Sequence, residues 1–363
     1  MRILLVNTSP HWGGGEAWAL ETTVALQRRA HVVGIAAAAG DLATRARDAG
    51  VPVVRVPCSP LGRWSASRRL RAWITALAPD IAIANAGPDV RRMAWLLQGQ
   101  RAARVLRRGL DRPLSRDAWH RSQYRRLDAI LTNSEATRRT VVASCNEVPA
   151  ERVAVVHNGI DVEAFERFTP LDVRAQLGIP SAAFVLGIVG RLTRQKGHAI
   201  AFEAFERVRA ERPDARLLVV GDGEEEPALR RHPGATHARF LGSVHPVQPY
   251  YEACDVIVLP SWFEGFCYVA AEAGILQRPV IAADASSLPE VVRHHETGLL
   301  VPPGDVAAFA SAILALAADP IRRTAMGQRA RAHVRARFDI GVVVPRLESF
   351  LREACAWAAS RSS

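Results

Sequence analysis

The feature that most constrains the fold of this chain is a regular alternation of short apolar runs with longer amphipathic stretches. In the first half of the sequence, segments such as 16–29 and 67–78 have helical periodicity and lie between runs that are typical of buried strands. The predicted strands are 3–6, 31–36, 53–56, 81–84, 104–106, 129–132 and 153–156. Strands that alternate with helices predict βαβ units, and therefore a parallel sheet that helices cover on both faces.

The alternation stops at residues 157–180, which are rich in Gly, Pro and Asn, and then starts again. The second set of predicted strands is 184–189, 216–220, 239–241, 256–259, 280–282 and 299–301, followed by helices at 321–337 and 342–359. A chain of 363 residues suits two domains of ordinary size. We therefore predict a first doubly wound domain at 1–168, a second at 169–338, and a C-terminal helical segment at 339–363.

Composition excludes several classes of protein. No apolar stretch is long enough to span a bilayer, and the apolar run at 3–6 leads directly into a glycine loop, as a first strand does and a signal peptide does not. The five cysteines are scattered, so they predict neither a disulfide framework nor a metal cluster. Free thiols in a reducing compartment are the expectation, which favours a cytoplasmic protein.

A single lysine stands out against an arginine-rich background. Of the 47 Lys and Arg residues, 46 are arginines, so one arginine by itself carries little information. Lys196 lies in Gly-Arg-Leu-Thr-Arg-Gln-Lys-Gly (190–197), between a predicted strand and a predicted helix, where doubly wound folds bind ligands. Gly190 permits a close turn, and Arg191 and Lys196 can bind phosphate beside the helix N-terminus. A solvated basic loop is the alternative interpretation.

A second motif, Pro-Ser-Trp-Phe-Glu-Gly-Phe-Cys-Tyr (260–268), precedes a predicted helix at 269–276. Glu264 lies before this helix and Glu272 about two turns into it, so both carboxylates can face one crevice. Carboxylates accept hydrogen bonds from sugar hydroxyls, and the backbone amides of 265–267 can hold a phosphate or sugar oxygen. The alternative is an acidic pair near a helix start that is simply solvated.

Together the two motifs resemble those of the retaining glycosyltransferases of family 4. The shared pattern is Gly-Arg-Leu-x-x-x-Lys-Gly, then Pro-Ser-x-x-Glu-Gly-Phe, then a second Glu eight residues after the first. Other stretches that carry the resemblance are 14–16, 132–137, 157–161, 219–223, 288–292 and 298–305. The resemblance runs in order along nearly the whole chain and is densest from 183 to 305.

The resemblance implies an α/β fold of the GT-B type, in which two doubly wound, Rossmann-like parallel-sheet domains face a central cleft. The first domain would bind the acceptor and the second the nucleotide-sugar donor, and the C-terminal helix would pack back on the first domain. Such enzymes need neither a divalent metal nor a cofactor. The acidic run at 222–226 is accordingly interpreted as a polar helix start and not as a metal site.

The resemblance also assigns roles to individual residues. Arg191 and Lys196 would stabilise the departing diphosphate, because cleavage of the sugar–phosphate bond builds up negative charge there. With Glu264, which would address the donor sugar, they are the predicted catalytic residues. Glu272 would hold the ribose hydroxyls, and the backbone near Ser243 would frame the base. The predicted donor-binding set is Gly14, Gly15, Gly190, Arg191, Lys196, Ser243, Val244, Glu264, Gly265, Phe266, Cys267 and Glu272.

This sequence departs from the common family pattern at three places. Cys267-Tyr268 replaces a small Gly and an aliphatic residue, and Ser286-Ser287 stands where Gly-Gly is common. The stretch 107–113 lacks the His that many relatives carry near the reacting sugar. Asn85, Arg107 and Arg108 are the candidates for the acceptor side. No general base is assigned, and a retaining transfer in which the leaving phosphate takes the acceptor proton needs none.

The arginine excess lies entirely in the first half of the chain. Residues 1–160 contain 24 arginines and 12 acidic residues, whereas the remainder contains 23 basic and 24 acidic residues. Arginines alternate with apolar and aromatic residues at 63–74, and more arginines occur with Trp95, Trp119 and Tyr124 in 91–126. This pattern favours an anionic membrane surface or a phosphorylated acceptor, with a solvated helix face as the alternative. Nucleic-acid binding is not expected, because no module for it is recognisable.

The sequence therefore predicts a retaining, metal-independent glycosyltransferase. It would move a sugar from a nucleoside-diphosphate sugar to a lipid-linked or saccharide acceptor in the synthesis of cell-surface glycans. The predicted location is the cytoplasm, peripheral to the inner face of the membrane. Two alternatives remain open at this point: a nucleotide-sugar epimerase of the same fold, and a non-catalytic protein that binds a nucleotide sugar.

Overall fold

The computed structural model describes the backbone at residues 1–56 and 62–360, and the side chains at 1–56 and 70–360. The predicted basic positions Arg63, Arg68 and Arg69, with Trp64, lie outside the described side chains. The described residues divide into two compact units. The first contains Met1–Ile160 and Ile340–Ser363, and the second contains Asp161–Asp339.

The first unit is a doubly wound α/β domain. Its seven parallel strands have the order β3-β2-β1-β4-β5-β6-β7. The strands are β1 Arg2–Asn7, β2 Val32–Ala37, β3 Val53–Arg55, β4 Ile81–Ala84, β5 Ala103–Arg108, β6 Ala129–Thr132 and β7 Val153–Val155. The helices are α1 Gly14–Arg28, α2 Asp41–Asp48, α3 Gly62–Leu77, α4 Gly87–Leu96, α5 Ala118–Tyr124 and α6 Glu135–Ser144.

The second unit repeats this architecture with six parallel strands in the order β10-β9-β8-β11-β12-β13. The strands are β8 Val185–Val189, β9 Arg216–Val220, β10 Ala238–Gly242, β11 Val256–Leu259, β12 Val280–Ala283 and β13 Gly298–Val301. The helices are α7 Val162–Glu166, α8 Val173–Gln176, α9 His198–Glu211, α10 Glu226–Arg230, α11 Gln248–Glu252, α12 Tyr268–Ile275, α13 Leu288–Val291, α14 Val306–Ala318 and α15 Pro320–Phe338. The predicted fold class, two Rossmann-like parallel-sheet domains, is confirmed.

Side chains that alternate along each strand build a core on both faces of the sheet. In β1, Ile3 and Leu5 belong to one buried cluster, while Leu4 and Val6 belong to another on the opposite face. All four are completely buried. A strand without a polar face is the pattern expected of a parallel sheet covered by helices on both sides.

The last helix, α16 Ile340–Ser360, packs in the core of the first unit. Its buried side chains Val343, Leu347 and Phe350 join the cluster that contains Ile3 and Leu5. A buried carboxylate on the same helix, Glu348, accepts hydrogen bonds from both Arg29 Nε and Nη2 at 2.7 and 2.9 Å. Residues far apart in the sequence therefore complete one domain.

Candidate active site

In each sheet, the strand order reverses at one point, and the two sequence motifs occupy that point in the second unit. The chain winds from β8 outward to β10 and then returns to β11 on the other side of β8. The loop after β8 carries 190–197, and the loop after β11 carries 260–267. Crevices outside the carboxyl ends of strands at such a reversal are where doubly wound folds bind ligands. The topology thus brings the two motifs together.

Lys196 and Glu264 form a direct ion pair between these two loops. The Nζ of Lys196 lies 2.6 Å from Oε1 of Glu264, and the two side chains are 16% and 7% exposed. Burial opposes the charge of the ammonium most strongly, but the charge of Glu264, its hydrogen bond and the neighbouring Cys267 together outweigh burial and raise the pKa of Lys196. The lysine is therefore cationic at neutral pH. An ammonium has three N–H donors, so the contact with Glu264 leaves two for a ligand.

Backbone contacts fix the two loops against each other. The Gln195 carbonyl accepts a hydrogen bond from the Trp262 N–H at 2.9 Å, and the Gln195 side-chain amide donates to the Phe263 carbonyl at 2.8 Å. Gly197 has a left-handed φ of 63°, and a Cβ there would collide with the Pro260 carbonyl. Only glycine fits this position without strain, so the second Gly of the motif is required for the loops to meet.

Arg191 is exposed at the start of the same loop, and no described residue forms a hydrogen bond or ion pair with its guanidinium. Its carbonyl is held at 3.1 Å by Nε2 of the buried His198. Burial lowers the pKa of His198 to about 4, so the imidazole is neutral at pH 7 and Nε2 carries the donated proton. The loop thus presents two exposed guanidiniums, those of Arg191 and Arg194, and one largely buried ammonium, that of Lys196.

Glu272 in α12 is hydrogen-bonded to a tyrosine that the sequence analysis did not single out. The Tyr251 hydroxyl, on a completely buried side chain, donates to Oε2 of Glu272 at 2.6 Å. Burial raises the pKa of Glu272, while the hydrogen bond from Tyr251 and the charge of Lys196 act in the opposite direction. The electrostatic effect of Lys196 on Glu272 places both within one charged cluster with Glu264.

The two unusual residue pairs of the sequence lie beside this cluster. Cys267, directly before α12, has a φ of 67°, a conformation in which glycine is favoured. Burial raises the pKa of its thiol to about 12, so the sulfur is not a thiolate nucleophile at neutral pH. Ser286 and Ser287 both donate hydrogen bonds to the Glu264 carbonyl, at 2.6 and 3.1 Å.

The remaining predicted donor residues surround the loops. Gly190 has a positive φ of 125°, and a Cβ on Gly221, in the loop after β9, would collide with its carbonyl. Gly265 and Phe266 are buried beside Glu264. Ser243 and Val244 follow β10, which is the edge strand next to β9, and Ser243 is exposed. These positions are compatible with the predicted roles, which stay predictions.

In the first unit, a buried guanidinium lies at the corresponding reversal between β1 and β4. Arg107 is 3% exposed and donates to Oδ1 of Asn85 and Oδ1 of Asn158, each at 3.0 Å. Its guanidinium carbon lies 4.1 Å from the ring centre of Trp18. Asn85 in turn donates to the Gly15 carbonyl at 3.1 Å. Arg107 therefore supports the glycine loop at the start of α1, a role that the sequence did not indicate.

The other candidate residues of the first unit are not hydrogen-bonded to Arg107 or Asn85 in the described contacts. Gly14 is the first residue of α1. Arg108 donates to the Arg112 carbonyl at 2.9 Å, and burial lowers the pKa of its guanidinium. Asp89, whose pKa burial raises, accepts a hydrogen bond from the Thr8 hydroxyl at 2.5 Å. The sequence placed Asn85 and Arg107 in one group, but it did not reveal Asn158 or Trp18 as their partners.

Neither a metal cluster nor a membrane span is found among the described residues. Among the described side chains, at 1–56 and 70–360, no three His, Cys, Asp or Glu residues are grouped so that they could hold a metal ion. In the same ranges, every helix is too short or too polar to cross a bilayer.

Comparisons with known proteins identify related families on both halves of the chain. The family described as Glycosyltransferase Family 4 matches residues 12–164, and the family described as Glycosyl transferases group 1 matches residues 183–319. A D-inositol 3-phosphate glycosyltransferase of Corynebacterium kroppenstedtii is 34% identical over 223 residues, which are 57% of this chain and 49% of that protein.

A second relative has a lipid-linked acceptor in its name. The GDP-mannose-dependent monoacylated alpha-(1-6)-phosphatidylinositol monomannoside mannosyltransferase of Corynebacterium glutamicum is 34% identical over 209 residues, covering 54% of this chain and 55% of that protein. The chain thus spans about half the length of the curated relatives that it matches. Among solved structures, Anabaena HepE in complex with UDP has a TM-score of 0.81 at 24% identity, covering 97% of this chain and 100% of that chain.

Proposed function

Because the chain belongs to glycosyltransferase family 4, we propose that it transfers a sugar, with retention of configuration, from a nucleoside-diphosphate sugar to an acceptor. The donor is bound by the loops after β8 and β11, and the first unit provides the acceptor side. Arg191, Lys196 and Glu264 carry the chemistry. HepE, the structural relative described above, was solved with UDP, which supports a nucleotide donor of this general class.

The observation that carries this proposal is the state of Lys196, in the loop after β8 where the strand order of the sheet reverses. This lysine forms an ion pair but remains protonated. Lys196 is held by Glu264 at 2.6 Å and keeps its charge, and Arg191 beside it is exposed. A diphosphate bound there would contact two cations, the held ammonium of Lys196 and the exposed guanidinium of Arg191. The negative charge on its oxygens grows as the sugar–phosphate bond breaks, so these cations stabilise the transition state more than the ground state.

For the acceptor we propose a broad chemical class and not a particular compound. Two related proteins are named for inositol phosphate or phosphatidylinositol mannoside acceptors, which are respectively a phosphorylated polyol and a lipid-linked saccharide. We propose the same broad class here, a lipid-linked or saccharide acceptor used in cell-surface glycan synthesis. The retaining reaction needs no side-chain base if an oxygen of the leaving phosphate takes the acceptor proton.

A thermal-shift screen against UDP-, GDP- and ADP-sugars tests the donor assignment. At a ligand concentration of 100 times Kd, binding to the folded state adds about 2.7 kcal/mol to its stability, which is a readily measured shift. Lys196→Ala should remove most of the shift. Arg194→Ala is the matched control, because this cation lies in the same loop but its side chain is 89% exposed. The proposal fails if no nucleotide sugar stabilises the wild-type protein.

Product analysis separates transfer from the alternatives. A transferase hydrolyses its donor slowly without acceptor and forms a glycoside when an acceptor is added. An epimerase would convert the donor sugar without any acceptor, and a non-catalytic binder would leave the donor intact over many hours. The anomeric configuration of the glycoside, determined by NMR, tests retention.

The basic surface of the first unit supports a further part of the proposal, peripheral binding to an anionic membrane. Trp119 in α5 is 49% exposed, and the Arg91 guanidinium carbon of α4 lies 5.8 Å from its ring centre. Arg121 and Arg125 are exposed on α5 and just after it. An exposed tryptophan among arginines suits the boundary between lipid headgroups and acyl chains.

Vesicle flotation tests the membrane part independently of catalysis. The protein should float with vesicles that contain anionic lipid and stay in solution with neutral vesicles, and 0.5–1 M salt should reduce binding. Trp119→Ala combined with Arg91→Gln should weaken flotation, whereas Arg207→Gln, at an exposed position of the second unit, serves as the charge-matched control. Absence from both kinds of vesicle would rule this part out and leave the donor assignment intact.

A further inference from the structure

Ser286 and Ser287 use their hydroxyl groups in an unusual way. Both donate to one acceptor, the main-chain carbonyl of Glu264, at 2.6 and 3.1 Å. Ser287 is completely buried and is the residue directly before α13. A serine at that position normally accepts a hydrogen bond from the first turn of the helix, but here its side chain makes no such bond. The hydroxyl is directed to Glu264 instead.

Ser286 occupies a backbone conformation that favours glycine. Its φ is 53°, in the left-handed region that L-residues rarely adopt. Glycine would relax this strain but would have no hydroxyl to donate. The left-handed backbone at Ser286 therefore costs free energy, and the Ser286 hydroxyl provides a hydrogen bond to the Glu264 carbonyl that glycine could not.

The carbonyl held by the two serines determines the direction of the next N–H. The peptide between Glu264 and Gly265 is trans, so its C=O and N–H point in opposite directions within one plane. Two donors on the oxygen fix the rotation of that plane. The neighbouring groups are fixed as well, because Gln195 donates to the Phe263 carbonyl and Lys196 to the Glu264 carboxylate.

Gly265 therefore presents a main-chain donor with a set direction in the loop that leads into α12. No acceptor for the Gly265 N–H is found in the described backbone (1–56 and 62–360) or among the described side chains (1–56 and 70–360), although the residue is buried. Buried N–H groups are nearly always hydrogen-bonded. This one lies one residue from the carboxylate that binds Lys196, where the proposed donor is bound.

We propose that Ser286 and Ser287 are positioning residues, which lock the Glu264–Gly265 peptide so that its N–H donates to an oxygen of the nucleoside-diphosphate sugar. This inference rests on the proposed function and deepens it. In this proposal the two hydroxyls act through the Glu264 carbonyl, to which both donate. They fix the orientation of the Glu264–Gly265 peptide. Glu264, on one side of this peptide, binds Lys196, and the Gly265 N–H, on the other side, would bind the donor.

Removing the hydroxyls without disturbing the backbone tests the inference. Ser286→Gly removes one hydroxyl and relaxes the strain, and Ser287→Ala removes the other. Each single variant keeps one donor on the carbonyl and should change kcat/KM for donor hydrolysis or transfer by less than about threefold. The double variant frees the peptide and should lower kcat about 10- to 100-fold, the range in which a small misplacement at a reacting centre acts. Ser311→Ala, an exposed serine of the same unit, is the control.

Three readouts separate positioning from general destabilisation. The unfolding midpoint of the double variant should stay close to that of the wild type, because the strain at 286 is relaxed. Replacing Ser287 by Cys in the Ser286→Gly background restores a weak donor of similar volume and should recover part of the lost kcat. In the wild type, amide exchange of Gly265 should slow when the stabilising nucleotide sugar is added, which requires no variant.

The outcomes distinguish this inference from the proposed function. If the wild type binds a nucleotide sugar but the double variant keeps kcat/KM within threefold, or Gly265 exchange does not change, the positioning role is wrong and the donor assignment stands. If the wild type binds no nucleotide sugar, the proposed function fails and this inference falls with it. The positioning role is also wrong if the fractional loss of activity in the double variant equals its fractional loss of folded protein.

Discussion

At the scale of single residues, the electrostatics of the candidate site depend on the Lys196–Glu264 pair. Both side chains are largely buried, so removing one partner leaves the other as an uncompensated charge. We expect Lys196→Met and Glu264→Gln each to lower the free energy of unfolding by about 2–4 kcal/mol, and the double variant by less than the sum. Urea denaturation of the four proteins measures this coupling. Additive effects would show that the pair is not formed in solution.

Arg107 gives a second prediction at this scale. Its guanidinium holds Asn85 and Asn158 and stacks on Trp18, while being 3% exposed. Arg107→Met keeps much of the volume but leaves two buried amide oxygens without a donor, which should cost about 2–5 kcal/mol. Arg101→Met, at an exposed position of the same unit, should change stability by less than about 0.5 kcal/mol. Equal effects of the two substitutions on the urea midpoint would contradict the supporting role of Arg107.

The charged residues of the candidate site could be predicted from the sequence, but the residues that form hydrogen bonds with them could not. Lys196 was visible because it is the only lysine, and Glu264 and Glu272 because of their spacing. Tyr251, the hydrogen-bond donor to Glu272, belongs to no motif, and Ser286-Ser287 was visible only as a departure from a family pattern. Partners of this kind depend on the exact path of neighbouring loops, which local periodicity does not contain.

At the scale of elements, the start of α12 depends on one residue with a left-handed backbone. Cys267 has a φ of 67°, so Ala at this position should be less stable than Gly by about 1–2 kcal/mol, the reverse of their order inside a helix. Neither variant has the sulfur, so the comparison isolates the backbone term. Unfolding midpoints of Cys267→Ala and Cys267→Gly measure it. A more stable Ala variant would mean that this turn has a different conformation in solution.

The strands were predictable because burial on both faces makes them continuous apolar runs between polar segments. All thirteen lie within two residues of their predicted positions, from β1 to β13. The same pattern does not predict the order of the strands in each sheet. The reversal of strand order beside β1 and beside β8 depends on how strands and helices pack within each unit. The site could still be located, because ligand-binding loops follow the carboxyl ends of strands whatever the order.

The contact between α16 and the end of α1 predicts how stability depends on pH. The hydrogen bond from Arg29, assisted by one from His31 at 2.8 Å, lowers the pKa of Glu348 to about 2. A depressed pKa means that the carboxylate contributes stability above the unfolded value of about 4.3, and this contribution is lost as the pH falls towards 2. The wild type should therefore lose stability steadily between about pH 4.5 and pH 2.

A matched pair of variants attributes this loss to Glu348. Glu348→Gln should be less stable at pH 7 and should lose less stability than the wild type as the pH falls through this window. Glu353→Gln, on an exposed position of the same helix, should follow the wild-type curve. Guanidinium denaturation at half-unit pH steps provides the measurement. An unchanged slope in Glu348→Gln would assign the acid sensitivity to other carboxylates.

At the scale of the whole molecule, the first unit is discontinuous in sequence. It consists of Met1–Ile160 and the returning segment Ile340–Ser363, with the second unit inserted between them. The returning helix α16 buries Val343, Val344, Leu347, Phe350 and Leu351. At about 1.5–3 kcal/mol for each large apolar side chain, this burial is worth on the order of 10 kcal/mol, comparable with the stability of an entire domain.

Deletion of residues 340–363 should therefore affect the two units unequally. The first unit loses a helix from its core and should unfold or melt at a much lower temperature, whereas the second unit, Asp161–Asp339, loses no residue. The proposed donor loops lie in the second unit, so the nucleoside diphosphate of the stabilising donor should still raise the calorimetric transition of that unit in the truncated chain. The ligand adds RT ln(1 + [L]/Kd) to the stability of whichever unit binds it, so the transition that moves identifies the binding unit. Loss of the ligand-dependent shift, with the second transition still present, would show that the second unit alone does not hold the diphosphate.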